Sequence, residues 1–149
     1  MFEPQDPDFK ARTRASFDRQ AMMKTLGVEM TVIEPGRCEL VMPFNRDFTQ
    51  QHGFLHAGAV TTVADSAAGY AAFSLMPADS SVLSIEFKQN LLSPAIGDKL
   101  IARAEVVRAG KTITVVDCRA FMVNKGQEKL VGMMVATMMC MHGRTDAQG

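Results

Sequence analysis

From Ala59 to Leu75 the chain has no lysine or arginine, and one carboxylate, Asp65, stands among residues that are nearly all apolar or small. A helix without a charged face is stable when it is buried, so this segment predicts a central helix with the rest of the chain wrapped around it. An ionised Asp inside such a helix is costly unless a partner or a wet cavity receives it. Asp65 therefore reads as a residue kept for chemistry. The structural alternative is a bond to the hydroxyl of Thr61 or Thr62, or to a buried water, that serves only the fold. Just before the helix lies a polar, glycine-containing loop, Gln50-Gln-His-Gly-Phe-Leu-His56-Ala57-Gly58.

With 149 residues the chain is long enough for one domain with a substantial core. Sixteen basic residues balance sixteen acidic ones, and no basic run of the kind that neutralises phosphates occurs, which argues against nucleic acid. The longest apolar run, Leu130 to Met141, is too short to cross a bilayer. The opening Met1-Phe-Glu-Pro-Gln-Asp-Pro-Asp is acidic where a signal peptide is basic and then apolar. Cys38, Cys118 and Cys140 are far apart, odd in number and in no C-x-x-C pair, so they read as reduced core residues. No His, Cys or carboxylate pair has metal-ligand spacing, and no metal site is expected. These features together predict a soluble cytoplasmic protein.

Turn residues divide the chain. Asp8 to about Leu26 predicts a helix after Pro7 and before Gly27, with Phe9, Phe17, Ala21 and Met22 on a shared stripe. Val28 to Ile33 and Arg37 to Met42 read as a hairpin around Glu34-Pro-Gly36, with Cys38, Leu40 and Met42 on one face. The buried helix ends near Met76-Pro77. Four long strands follow, Ser81 to Leu92, Lys99 to Arg108, Thr112 to Val123 and Lys129 to His142. Their short links favour antiparallel pairing. The methionine-rich segment Met133 to Met139 suits a core or a subunit interface. The result is a single α+β domain over residues 1–149. A curved antiparallel sheet of about six strands wraps the central helix, with an N-terminal helical extension at 1–27 and a flexible tail at 143–149.

Several of these marks together resemble the hot-dog-fold acyl-CoA thioesterases, in particular the group that includes the phenylacetate-pathway thioesterases. The marks are the Gly53-Phe-Leu-His56-Ala57-Gly58 loop, Asp65 on the helix, Ser84 on the next strand and Ser93-Pro94-Ala-Ile-Gly97-Asp98. The Gly110-Lys111 turn and the apolar last strand also fit, and the resemblance runs from about Val28 to Met141. It implies hydrolysis of an acyl-CoA, with coenzyme A present only as part of the substrate and no cofactor. Two positions depart from the family pattern. The usual His-Gly-Gly is here His56-Ala57-Gly58, and the usual Asn is here Gln50, or Gln51 if the register slips.

The helix spacing has its own consequence. With a start near Ala57 or Gly58, Asp65 lies roughly 11 Å along the axis, at about 1.5 Å per residue. Unpaired N–H groups at a helix start suit an oxyanion. One carbonyl cannot meet both that start and Asp65 of the same helix, whereas a second, antiparallel copy brings them together. The resemblance implies the same arrangement: a homodimer with sites at its interface, or a dimer of dimers.

Asp65 is then the general base or the nucleophile, and the N–H of Ala57, with Gly58, polarises the carbonyl. Under the resemblance, Gln50 donates to the same oxygen, His56 supports the loop or the carbonyl, and Ser84 orients the water or the carboxylate. Thr61, Ala68 and Gly69 lie near Asp65 by three- and four-residue spacing and leave a slot for a medium, long or aryl acyl group. Arg108 and Lys111 are candidates for the phosphates of coenzyme A. Two other readings stay open: a dehydratase or hydratase acting on acyl thioesters on the same fold, and a non-catalytic acyl-CoA binding module.

Overall fold

A computed structural model describes residues 2–145, so the end of the expected tail, 146–149, lies outside the described residues. The strands are β1 (Glu29–Glu34), β2 (Arg37–Pro43), β3 (Ser80–Leu91), β4 (Lys99–Ala109), β5 (Ile113–Asn124) and β6 (Gln127–His142). They form one antiparallel sheet in the order β1-β2-β4-β5-β6-β3. Helices α1 (Phe9–Arg19) and α2 (Ala21–Leu26) precede the sheet, and α3 (Ala57–Phe73) sits in its curve. This is the hot-dog architecture.

The inner sheet face alternates as a half-buried strand must. Cys38, Leu40 and Met42 of β2 are buried, as are Leu100, Ala102 and Ala104 of β4 and Val116, Cys118 and Ala120 of β5. Met134 and Met138 of β6 complete that face, whereas Met133 and Met139 are half-buried on the other side. Against it α3 presents Val60, Val63, Ala64, Ala67, Ala68, Ala71 and Ala72, each at most 2% exposed. The helix is not covered all round, however. Gly58, Thr61, Thr62, Asp65 and Gly69, spaced three to four residues apart, form a stripe that the sheet leaves open.

The expected helix from Asp8 to Leu26 is broken at Gln20, whose backbone is extended at φ −75° and ψ 102°. The cause is phase. Phe9, Thr13, Ser16 and Phe17 lie on one buried stripe, and an unbroken helix would carry Ala21 toward it. The break turns Met23 and Leu26 inward instead and leaves Ala21 and Met22 exposed, Met22 by 54%. Gly27 then ends α2 with a left-handed φ of 67°, a conformation glycine adopts without a Cβ clash.

The C-terminal end of α3 is held from outside. Nη2 of Arg12 donates to the carbonyl of Met76 at 2.6 Å, and its guanidinium lies 4.1 Å over the Phe73 ring. A cation there meets the negative end of the helix dipole. Asp6 holds Arg12 through an Nε–Oδ2 ion pair of 2.7 Å, and both side chains are largely buried. Ser74 Oγ adds a second tie, donating to the carbonyl of Ala71 and accepting from the N–H of Gly36 in the β1–β2 turn. Arg12→Ala leaves the Asp6 charge buried and unpaired and is expected to cost about 3–5 kcal/mol in urea denaturation. Asp6→Ala combined with Arg12→Ala should recover part of that loss, because no lone charge then remains.

Candidate functional site

Asp65 faces out of the open stripe of α3, and its partner is neither Thr61 nor Thr62. Thr62 instead donates back to the carbonyl of Gly58 at 2.8 Å. The Oδ1 of Asp65 accepts from Ser84 Oγ at 2.7 Å, and Ser84 also lies 3.4 Å from the sulfur of Met138. Ser84 reaches the carboxylate because β3 places it on the inner sheet face, opposite Met138. Oδ2 has no hydrogen-bond partner among the described residues. Asp65 lines a cavity of about 240 Å³ with Ser66, Gly69, Tyr70, Val82, Leu83, Ser84, Ser16 and Gln20. A carboxylate with one oxygen fixed by a hydroxyl and the other facing a cavity can accept a proton from water or approach a carbonyl.

The start of α3 has its own geometry. His56 is the N-cap, and its Nδ1 accepts from the N–H of Gly58 at 2.9 Å. A neutral imidazole accepting at Nδ1 carries its proton on Nε2, so His56 presents a donor on its far side. Gly58 thus has its N–H occupied. The N–H of Ala57 has no acceptor among the described residues and is the free donor at the helix start. Oε1 of Gln50 accepts from the N–H of His52, so its amide NH₂ remains for donation. Gln50, Gln51, His56 and Ala57 line a second cavity of about 570 Å³, whose apolar walls include Phe54, Val60, Leu91 and Val131.

The expected site residues therefore fall into two groups within one chain. Asp65, Ser84 and Gly69 belong to the first cavity, and Gln50, His56 and Ala57 to the second. Eight residues of helix separate Ala57 from Asp65, roughly 12 Å along the axis. Ala68 packs against the sheet at 0% exposure, Thr61 is half-buried on the open stripe, and Arg108 and Lys111 are exposed in the β4–β5 region. None of these four lines either cavity. Ser16, Gln20 and Tyr70 were not anticipated. Their one sequence signal is that Thr13 and Ser16 put hydroxyls on the otherwise apolar stripe of α1.

Residues 52–128 match the family model of the thioesterase superfamily. A thioesterase family protein from Silicibacter pomeroyi superposes with a TM-score of 0.89 at 50% identity, over 91% of this chain and 99% of that one. The acyl-coenzyme A thioesterase PaaI of Escherichia coli is 31% identical over 116 residues, 76% of this chain and 79% of its own. Its structure superposes with a TM-score of 0.83 over 95% of this chain and 99% of PaaI, at 22% identity in that superposition. The 1,4-dihydroxy-2-naphthoyl-CoA hydrolase of Listeria monocytogenes is 27% identical over 94 residues, 63% of this chain and 76% of its own.

The cysteines take no part in either cavity. Cys38 and Cys118 are buried on the inner sheet face, and burial pushes the Cys38 thiol up to about 12 and raises the Cys118 thiol as well. A thiol held protonated is a poor nucleophile. Among the described residues no three His, Cys, Asp or Glu side chains gather where they could hold a metal ion, and no helix is long and apolar enough to cross a membrane. Iodoacetamide at pH 8 is expected to leave Cys38 and Cys118 of the folded protein unmodified and to label both in denaturant. Peptide mass mapping before and after unfolding reads the difference.

Proposed function

Because the chain belongs to the thioesterase superfamily and is a thioester hydrolase, we propose that it cleaves acyl-CoA thioesters at sites shared by two copies of the chain. The acyl group is medium- or long-chain aliphatic, or aryl. Each site takes Asp65 and Ser84 from one protomer and Ala57, Gln50 and His56 from the other.

The observation that carries this reading is the complementarity of the two cavities. One holds a carboxylate with a free oxygen but no helix-start N–H; the other holds a free N–H at a helix start and no carboxylate. A thioester hydrolase needs both functions at one carbonyl. The edge of the sheet also supports a second copy. Among the described residues β3 has no strand on its outer side, and Leu83, Ile85 and Phe87 along it are 56%, 51% and 43% exposed. A long apolar edge of this kind is a template for another strand.

In the proposed reaction the N–H of Ala57 and the amide of Gln50 donate to the thioester carbonyl, at the positive end of the α3 dipole. Asp65, oriented by the Ser84 hydroxyl, either takes a proton from water as it adds to the carbonyl or attacks the carbonyl itself. As the tetrahedral species collapses, the C–S bond breaks. On the general-base path the proton that Asp65 took from water passes to the departing coenzyme A sulfur. On the nucleophile path the thiolate leaves behind an acyl–Asp65 anhydride. Water then hydrolyses the anhydride to the free acid and the Asp65 carboxylate, while the second proton of that water goes to the thiolate. The absence of a side chain beyond Cβ at position 57 lets the carbonyl reach the backbone.

Asp65→Asn keeps the shape of the side chain and removes its basicity. Thiol release should fall by about 100- to 10,000-fold in a protein with an unchanged circular dichroism spectrum. Near-normal release from that variant would falsify the assignment and favour a binding module.

A second test separates shared sites from sites within one chain. Ala57→Pro deletes one N–H at the first helical position, where proline is tolerated, and should lower kcat by about 100- to 1,000-fold. Co-refolding that chain with the Asp65→Asn chain should restore about one quarter of wild-type activity, since random pairing makes half the dimers hybrids with one intact site each. No recovery in a mixture shown by mass spectrometry to contain hybrids would place both functions in one chain.

A further inference from the structure

The Asp65 cavity ends against a part of the fold that the reaction does not use. Gln20, at the break between α1 and α2, lines it together with Ser16 of α1 and Tyr70 of α3. These groups are tied to one another and to the helix that carries Asp65. Ser66 Oγ, one residue beyond Asp65, donates to Gln20 Oε1 at 3.3 Å, and Ser16 Oγ lies 3.4 Å from the Tyr70 hydroxyl. The Tyr70 ring meets Phe17 of α1 edge-on, with centroids 5.8 Å apart. Ser16, Ser66 and Tyr70 are each at most 9% exposed, and Gln20 is half-buried. Between Asp65 and this cluster lies Gly69, where an added Cβ would meet nothing within 4 Å.

We propose that Gln20, braced by Ser66 and flanked by the Ser16–Tyr70 pair, is the end wall of the acyl slot and sets the longest acyl group that the enzyme turns over. This rests on Asp65 being the reacting carboxylate. A cavity of about 240 Å³ has room for an aryl ring, which a void of about 150 Å³ already accommodates, but a long alkyl tail running past Asp65 meets the Gln20 amide. Of the acyl classes proposed above, the wall admits the aryl and medium-chain members and turns away the long ones. The break in the N-terminal helix thereby acquires a function: it is where the chain leaves helical geometry to bring a side chain across the slot.

The test is kcat/KM for a straight-chain series from butanoyl-CoA to hexadecanoyl-CoA, read as the ratio of each chain length to the best one. In the wild type the ratio should fall sharply at one length. Gln20→Ala lengthens the slot by the space of the lost side chain and should raise the ratio for the first rejected substrates about 10-fold, the effect of some two methylenes newly buried. Gln20→Leu, similar in size without the amide, should keep the cut-off. Gly69→Val fills the slot from α3 itself and should move the cut-off to shorter chains, which keeps the proposal testable if Gln20→Ala does not fold. A profile that neither Gln20→Ala nor Gly69→Val shifts overturns the end wall. If turnover in that same enzyme is still lost in Asp65→Asn, the hydrolase reading stands and the wall alone fails. Thiol release that survives Asp65→Asn removes the basis of both.

Discussion

A sheet can wrap around a helix only if the helix is slender where the strands cross it, and the alanines of α3 supply that condition. Ala64, Ala67, Ala68, Ala71 and Ala72 let the inner faces of β2, β4, β5 and β6 close on the helix, and every face residue must then be chosen to fit. Protein interiors tolerate little void, and methionine at 42, 122, 134 and 138 suits the irregular space left beside small side chains. The same closeness forces the helix ends to be finished by other elements. His56 caps one end from its own loop, while Arg12 and Ser74 take up backbone groups at the other. The uncovered stripe with Asp65 follows directly, because a six-stranded sheet of this curvature covers one side of α3 and stops at β3.

Much of this was legible because it depends on local pattern. Alternation in β2 marked its inner face, turn residues marked the limits of the four later strands, and the lack of charge from Ala59 to Leu75 marked the central helix. Asp65 stood out because it violates that rule, and Ser84 does meet it. What the sequence concealed depends on where elements lie relative to one another. Nothing local says that Gln20 will leave helical geometry, since its neighbours are good helix formers and the cause is the phase between Phe17 and Met23. Nor does spacing reveal that the His56 ring occupies the Gly58 N–H, leaving Ala57 as the free donor. Helical spacing put Ala68 and Gly69 alike near Asp65, yet Gly69 faces the cavity and Ala68 the sheet.

Charge is confined largely to the outer face, where it organises the sheet without entering the site. Arg103 donates to Glu128 through both terminal nitrogens and to Glu39 through Nε, all at 2.7 Å. Burial alone would raise the Glu39 carboxyl, but hydrogen bonds from Thr31 and Arg103 outweigh it and hold it below the usual carboxylate range. Hydrogen bonding from Arg103 lowers Glu128 in the same direction. A depressed carboxylate contributes stability above its unfolded value and loses it as pH falls through the folded one, so this network acts near neutrality and fades in acid. Its side chains are partly exposed and its net worth is modest, since solvent screens such pairs.

The irregularity between Ser84 and Glu86 has a consequence for the free edge. One extra residue, Ile85, changes the phase of β3, so that Ser84 before it and Phe87 and Gln89 after it all pair with inward-facing residues of β6, Met138, Ala136 and Met134. Strict alternation would have turned Glu86 and Lys88 toward the helix instead. The same bulge breaks the row of backbone donors and acceptors that β3 offers to an incoming strand. A ladder growing along this edge is interrupted at one fixed place, so a newcomer that slides by two residues loses pairing and is penalised at once. An edge that looks open to indefinite addition is therefore coded for a single alignment, and in that sense the bulge works against fibrils.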